Sequence, residues 1–183
     1  MLVLLPPSET KADGGHGAPL DLDALGFPEL NPIRERLVSA LAGLASDLPA
    51  SLAALGLTER QTDEVARNAA LRSSATLPAL SRYTGVLYDA LDVGAFSRAE
   101  RRRANARLAV ASALFGVVRA DDPIPAYRLS GGTTLPAIGT LRSVWHPSLT
   151  KTLSTVDRVL LSSGCQTERR VPIAGSVVPP ERR

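Results

Sequence analysis

"MLVLLPPSETK", residues 1–11, is the stretch on which the fold turns. Met1–Leu5 is an unbroken apolar run, and Pro6–Pro7 close it because proline has no N–H with which to extend a ladder. A short apolar run bounded in this way predicts a buried strand. The polar cluster Ser8, Glu9, Thr10 and Lys11 then falls at the strand's carboxyl end, where α/β folds place their ligand crevices.

Outward from that strand, residues 12–30 have the Gly, Pro and Asp density of a loop. Asn31 and Pro32 predict a helix start, with Asn31 as cap and an apolar stripe of Ile33, Leu37, Leu41 and Leu44. Residues 48–71 read as two short helices broken at Gly56, with Thr58 and Gln61 spaced as a capping box. That pair resembles a helix-hairpin-helix, which offers backbone N–H groups to a phosphate. An ordinary αα-hairpin packed on a core is the competing reading, because Leu55-Gly56-Leu57 has one glycine where such motifs carry two. Residues 77–91 predict one helix, with Tyr83 and Tyr88 flanking Gly85. Ser97 and Glu100 form a second capping box, ahead of a helix crowded with Arg98, Arg101, Arg102, Arg103 and Arg107. A solvated face is the default for such a run, and phosphate contact the alternative.

Residues 108–122 read as β-rich at their end and lead into a Pro/Gly-bounded segment. Residues 141–153 predict helix on both sides of Pro147, and Arg158–Ser163 predicts a strand. Helices and strands alternate irregularly, so the fold class is mixed α/β (α+β), in a single domain of ordinary size for 183 residues.

Composition bounds the function classes. A hydrophobic share of 44% argues against disorder. A net charge of +3 and a pI near 9.5 allow a polyanionic partner without requiring one. The single Cys165 permits no intrachain disulfide. No apolar run approaches the ~18 residues of a membrane span, so a cytoplasmic protein without a membrane partner is expected.

The residues offer little established catalysis. Ser8-Glu9-Thr10-Lys11 fits S-x-x-K, in which a lysine activates a serine nucleophile, but the companion motifs are missing. His16, His146 and Cys165 lack ligand spacing, so no metal and no cofactor are expected. Asp121 and Asp122 are better read as a turn cap or an arginine partner than as an acid–base pair.

In order, the pieces nevertheless resemble a known family. Residues 1–11, Tyr83-Thr84-Gly85 with Tyr88, and Phe115-Gly116-Val117-Val118-Arg119 look like the YaaA-type peroxide stress resistance proteins. So do Asp122, Tyr127-Arg128-Leu129 with Gly132, and Val144-Trp145, the match covering roughly residues 1–164. The resemblance implies a bacterial cytoplasmic protein of the hydrogen peroxide response, linked to limiting intracellular iron. It also implies a helix-hairpin-helix-like element, a positively charged cleft that binds double-stranded and branched DNA, and no established reaction. On that basis Lys11, Arg119 and Arg128, with Ser8 and Thr10, are the expected DNA or anion contacts. The alternatives are a small-molecule enzyme built on the Ser8–Lys11 loop with Arg128 as its anion site, or an inactive product.

Two departures stand out. One branch of the family opens S-P-A-K-T, with lysine where this chain has Glu9. Family members also run on past this point, whereas residues 165–183 show no useful period and have the Arg, Pro, Ser and Gly bias of a shifted reading frame. The expectation is therefore a domain over 1–164 lacking the C-terminal part of its fold, followed by an irregular tail.

Overall fold

The computed structural model describes residues 1–156 and 158–161. The expected tail over residues 165–183 lies outside them. In chain order the elements are β1 (Leu2–Leu5), α1 (Asn31–Leu44), α2 (Leu48–Leu55), α3 (Thr62–Ala69), β2 (Leu77–Pro78), α4 (Ala79–Arg82) and α5 (Val86–Leu91). There follow α6 (Arg98–Arg107), β3 (Leu108–Ser112), β4 (Gly116–Arg119), β5 (Pro123–Ile124), β6 (Thr134–Leu135), β7 (Gly139–Thr140), α7 (Leu141–Ser154) and β8 (Val159–Leu161). Mixed α/β in a single domain is what forms.

The main sheet runs β4-β3-β1-β8. β1 is parallel to both β3 and β8, with Val3 opposite Leu108 and Leu160, while β4 returns antiparallel to β3. The carboxyl ends of β1, β3 and β8 therefore share one edge. From β1 the chain passes to β3 on one side and later to β8 on the other, and crevices open at such reversals.

Leu37, Val38 and Leu41 of α1 are buried, as are Leu114, Phe115, Val117 and Val118 of the β3–β4 hairpin. Each such side chain contributes about 1.5–3 kcal/mol through burial. Gly116 has φ +76°, and a β-carbon there would stand 2.7 Å from the Trp145 ring. Trp145 is fixed in turn by donating its indole N–H to the Ala113 carbonyl at 2.9 Å.

Two local readings change, and a third settles on one of its two alternatives. Leu30, not Asn31, caps α1; the Asn31 side chain instead donates to the Leu22 carbonyl and accepts from Arg34. The helix expected over 77–91 is split into β2, α4 and α5, because Tyr83 is extended and Gly85 sits at φ +106°. Asp122 takes no arginine side chain in a hydrogen bond. Its carboxylate accepts the backbone N–H groups of Gly26 and Arg119 at 2.8–3.0 Å, which makes it the turn cap. Both capping boxes form as spaced.

Candidate functional site

Beyond Pro7, residues 10–12 are stitched to residues 82–84. The Ala12 N–H donates to the Arg82 carbonyl at 2.8 Å, the Thr84 N–H donates to the Thr10 carbonyl at 3.3 Å, and Lys11 bridges Tyr83. The Arg82 guanidinium, wholly buried, adds bonds to the carbonyls of Ala12, Ala75 and Ile124. Three hydroxyls meet on the outer side. Thr84 Oγ1 donates to Thr10 Oγ1 at 2.9 Å, and Ser8 Oγ lies 3.2 Å from the same atom. A β-carbon on Gly85 would come within 3.2 Å of Ser8 Oγ, so glycine leaves that cluster its room.

This stitching turns Lys11 inward. Its ammonium lies 4.1 Å from the centre of the Tyr127 ring and 5.3 Å from that of Tyr83, and only 9% of the residue is exposed. It donates to the carbonyls of Ser8 at 3.2 Å and Glu9 at 3.4 Å, not to the Ser8 hydroxyl. The serine–lysine activation of an S-x-x-K pair is therefore absent. Loss of hydration pushes the amine down from 10.5 to about 8; Glu9 and Glu64 oppose that shift, while Arg128 and Arg67 add to it.

Beneath the lysine, Tyr83 and Tyr127 share a hydroxyl–hydroxyl bond of 2.8 Å. Tyr127 bonds Ser112 Oγ at 2.9 Å, and that oxygen accepts the Phe115 N–H. Burial raises the ionisation of both tyrosines above the ordinary phenol range. Tyr88 stacks on Tyr83 and donates to the Pro6 carbonyl at 2.6 Å, tying α5 to the end of β1.

Arg128 reaches the rim, where its guanidinium pairs with the Glu9 carboxylate at 3.0 Å. The Asn68 side chain both donates to and accepts from the Arg128 backbone, fixing that position from α3. Lys11, Ser8, Thr10 and Arg128 are thus together, but the lysine is buried and the arginine is neutralised. Arg119 does not join them. β4 is antiparallel, so Arg119 sits opposite Ala109 at the other end of the sheet, its guanidinium 4.9 Å from the centre of the Phe27 ring.

Of the family-motif positions, Tyr83, Gly85, Tyr88 and Tyr127 build this site, while Gly116, Asp122 and Trp145 hold the β3–β4 hairpin. Gly132 lies in the exposed turn after Arg128. Residues that sequence reasoning missed are Arg34, Asn68, Arg82, Thr84 and Ser112. Arg34 had left a trace, since it stands one turn before Leu37 and Val38 on an apolar helix face.

Elsewhere, all five arginines of α6 are exposed, and among the described residues none enters an ion pair. Glu100, the one acid of that helix, is taken up by bonds to the Ser97 N–H and hydroxyl. No helix among the described residues is long and apolar enough to cross a membrane.

The profile of a family described as peroxide stress protein YaaA matches residues 1–165. A UPF0246 protein of Corynebacterium efficiens is 49% identical over 165 residues, 88% of this chain and 65% of that relative. One from Streptomyces coelicolor is 46% identical over 154 residues, 84% of this chain and 59% of its own. An uncharacterised protein of Campylobacter jejuni is 29% identical over 140 residues, covering 74% and 55% respectively. The chain spans less than two thirds of the length of these relatives. With a match that takes in all the described residues, the chain belongs to the peroxide stress protein YaaA family.

Proposed function

We propose that this member of a peroxide stress family holds the sugar-phosphate backbone of duplex or branched DNA without reading its sequence. The observation that carries the reading is α6. Its five exposed arginines form no internal ion pair, and the only acid among them is occupied by its cap. Such an array repels itself in water and gains when phosphates replace its counterions. Arg128 and Arg119 are half-buried and lie at opposite ends of the sheet, so they serve as secondary contacts on this reading, and Lys11 serves as none.

The left-handed turn at Gly56, between α2 and α3, is the helix-hairpin-helix-like candidate. It borders an open hollow of about 440 Å3 also lined by Ser130, Gly132 and Thr133. The link to intracellular iron rests on kinship.

Fluorescence anisotropy on a duplex and a four-way junction, across a salt series, tests the proposal. Replacing Arg98, Arg102 and Arg103 with Gln leaves up to three phosphates without a cationic partner. The slope of log affinity against log salt should then flatten by about 0.9 for each phosphate no longer neutralised. A Lys11→Met variant should bind DNA as the unaltered protein does. Unchanged affinity and slope in the arginine variant would refute the assignment to α6.

A further inference from the structure

Lys11 is the one buried amine in a chain with only two lysines, and the binding of DNA by α6 leaves it without a role. Its surroundings are those of a nucleophile. The parallel strand β1 ends at a reversal of chain direction, and just beyond it the amine lies over the rings of Tyr83 and Tyr127. Buried lysines of this kind, desolvated and beside other cations, attack carbonyl carbon.

The neighbouring groups indicate which carbonyl compounds fit. Glu9 spans from the amine to Arg128: its backbone carbonyl lies 3.4 Å from Lys11 Nζ, and its carboxylate 3.0 Å from the guanidinium. The Glu9 side chain is 57% exposed and free to swing into water. The position it now occupies on Arg128 suits the carboxylate of a small ligand.

We propose that Lys11 is a carbonyl-capturing nucleophile, and that Arg128 selects small aldehydes or ketones bearing a carboxylate by exchanging Glu9 for the ligand's acid group. The amine lone pair adds to the carbonyl carbon, and the carbonyl oxygen takes up a proton. The resulting carbinolamine loses water to leave a C=N bond, so amine plus carbonyl gives imine plus water and no redox partner is consumed. The hydroxyls of Ser8, Thr10 and Thr84 line the outer side of the same loop. The titratable groups acting on the amine are Glu9, Arg128, Glu64 and Arg67.

The lowered proton affinity gives the expected size of the effect. A fall from 10.5 to about 8 raises the neutral fraction at about pH 7.5 by roughly 200-fold over an ordinary lysine. Weaker basicity and limited access reduce that gain, leaving at least about tenfold.

The experiment uses the full chain, glyoxylate and cyanoborohydride, with peptide mass spectrometry reading the carboxymethyl group on each amine. Lys151, exposed on α7, is the internal reference. Lys11 should be labelled at least about tenfold faster than Lys151, with a rate that levels off above about pH 8. Glu9→Gln should speed labelling by glyoxylate more than labelling by acetaldehyde, which has no carboxylate and gains only from the further fall in the amine's proton affinity. Arg128→Gln, checked for an intact circular dichroism melt, should slow glyoxylate more than acetaldehyde, since losing its charge raises the amine's proton affinity toward both.

Labelling of Lys11 no faster than that of Lys151 overturns the nucleophile. Equal responses of the two aldehydes to Glu9→Gln overturn the acid selectivity. Neither outcome touches the binding of DNA by α6, which the salt series reads separately.

Discussion

Replacing Lys11 with methionine keeps the length of the side chain and removes its charge, so the variant isolates what burying an amine costs the fold. In the folded protein the amine releases its proton at about 8, against 10.5 for an ordinary lysine. Between those values the unfolded chain holds a proton that the folded chain has lost, so raising the pH stabilises the fold. The full difference amounts to about 3 kcal/mol, of which about 2 kcal/mol is recovered between about pH 7.5 and about pH 9.5. The buried tyrosines act in the opposite sense. Their raised ionisation makes the fold weaken as the unfolded phenols ionise near pH 10. Urea unfolding of both proteins at the two pH values cancels that contribution, because the tyrosines are unchanged. The unaltered protein should gain about 2 kcal/mol more than Lys11→Met over the interval. Equal gains would show that Lys11 is solvated and ordinary, and would remove the physical basis for its reactivity.

Two further outcomes concern the frame that holds the site. Gly116→Ala should cost about 2–5 kcal/mol in urea unfolding, combining the left-handed backbone with a β-carbon driven into the Trp145 ring; a loss below about 1 kcal/mol would mean the ring gives way freely. Arg34→Leu should cost about 3–5 kcal/mol, because the buried guanidinium donates to the carbonyls of Gly26, Phe115 and Val117 and its removal leaves all three without that partner. A near-neutral result would place water in that pocket.

What the sequence disclosed was local. The apolar run before Pro6, the two capping boxes, the strand after Phe115 and the helix through Pro147 each rest on neighbouring residues, and each forms. Apart from the cap of α1, the failures turn on partners distant in the chain. Residues 77–91 read as a helix because their apolar spacing allows it. The fold extends Tyr83 so that it can meet Lys11, 72 positions away, and then turns sharply at Gly85. Arg119 and Arg128 are nine positions apart and read as companions, yet the antiparallel β4 carries the first away before residues 120–128 bring the chain back. No spacing rule reports that reversal; only the pairing of β3 with β4 does.

The basic character of the chain therefore divides into kinds that its net charge cannot separate. On α6 the guanidiniums stay exposed and form no ion pair among the described residues, so their charge is available to a polyanion and fades as salt rises. At the end of β1 the same sign of charge has been taken out of water. Burial there costs more than the carbonyls and aromatic faces return, and the amine holds its proton less tightly than an ordinary lysine. Arg34 and Arg82 represent a third outcome: guanidiniums hold their charge far more tenaciously than amines, and theirs is spread over backbone carbonyls that fix loops in place. A cation that can lose its proton is suited to bond-making, and one that cannot is suited to holding. That distinction, more than the count of positive residues, is the ground for proposing chemistry at Lys11 and phosphate contact at α6.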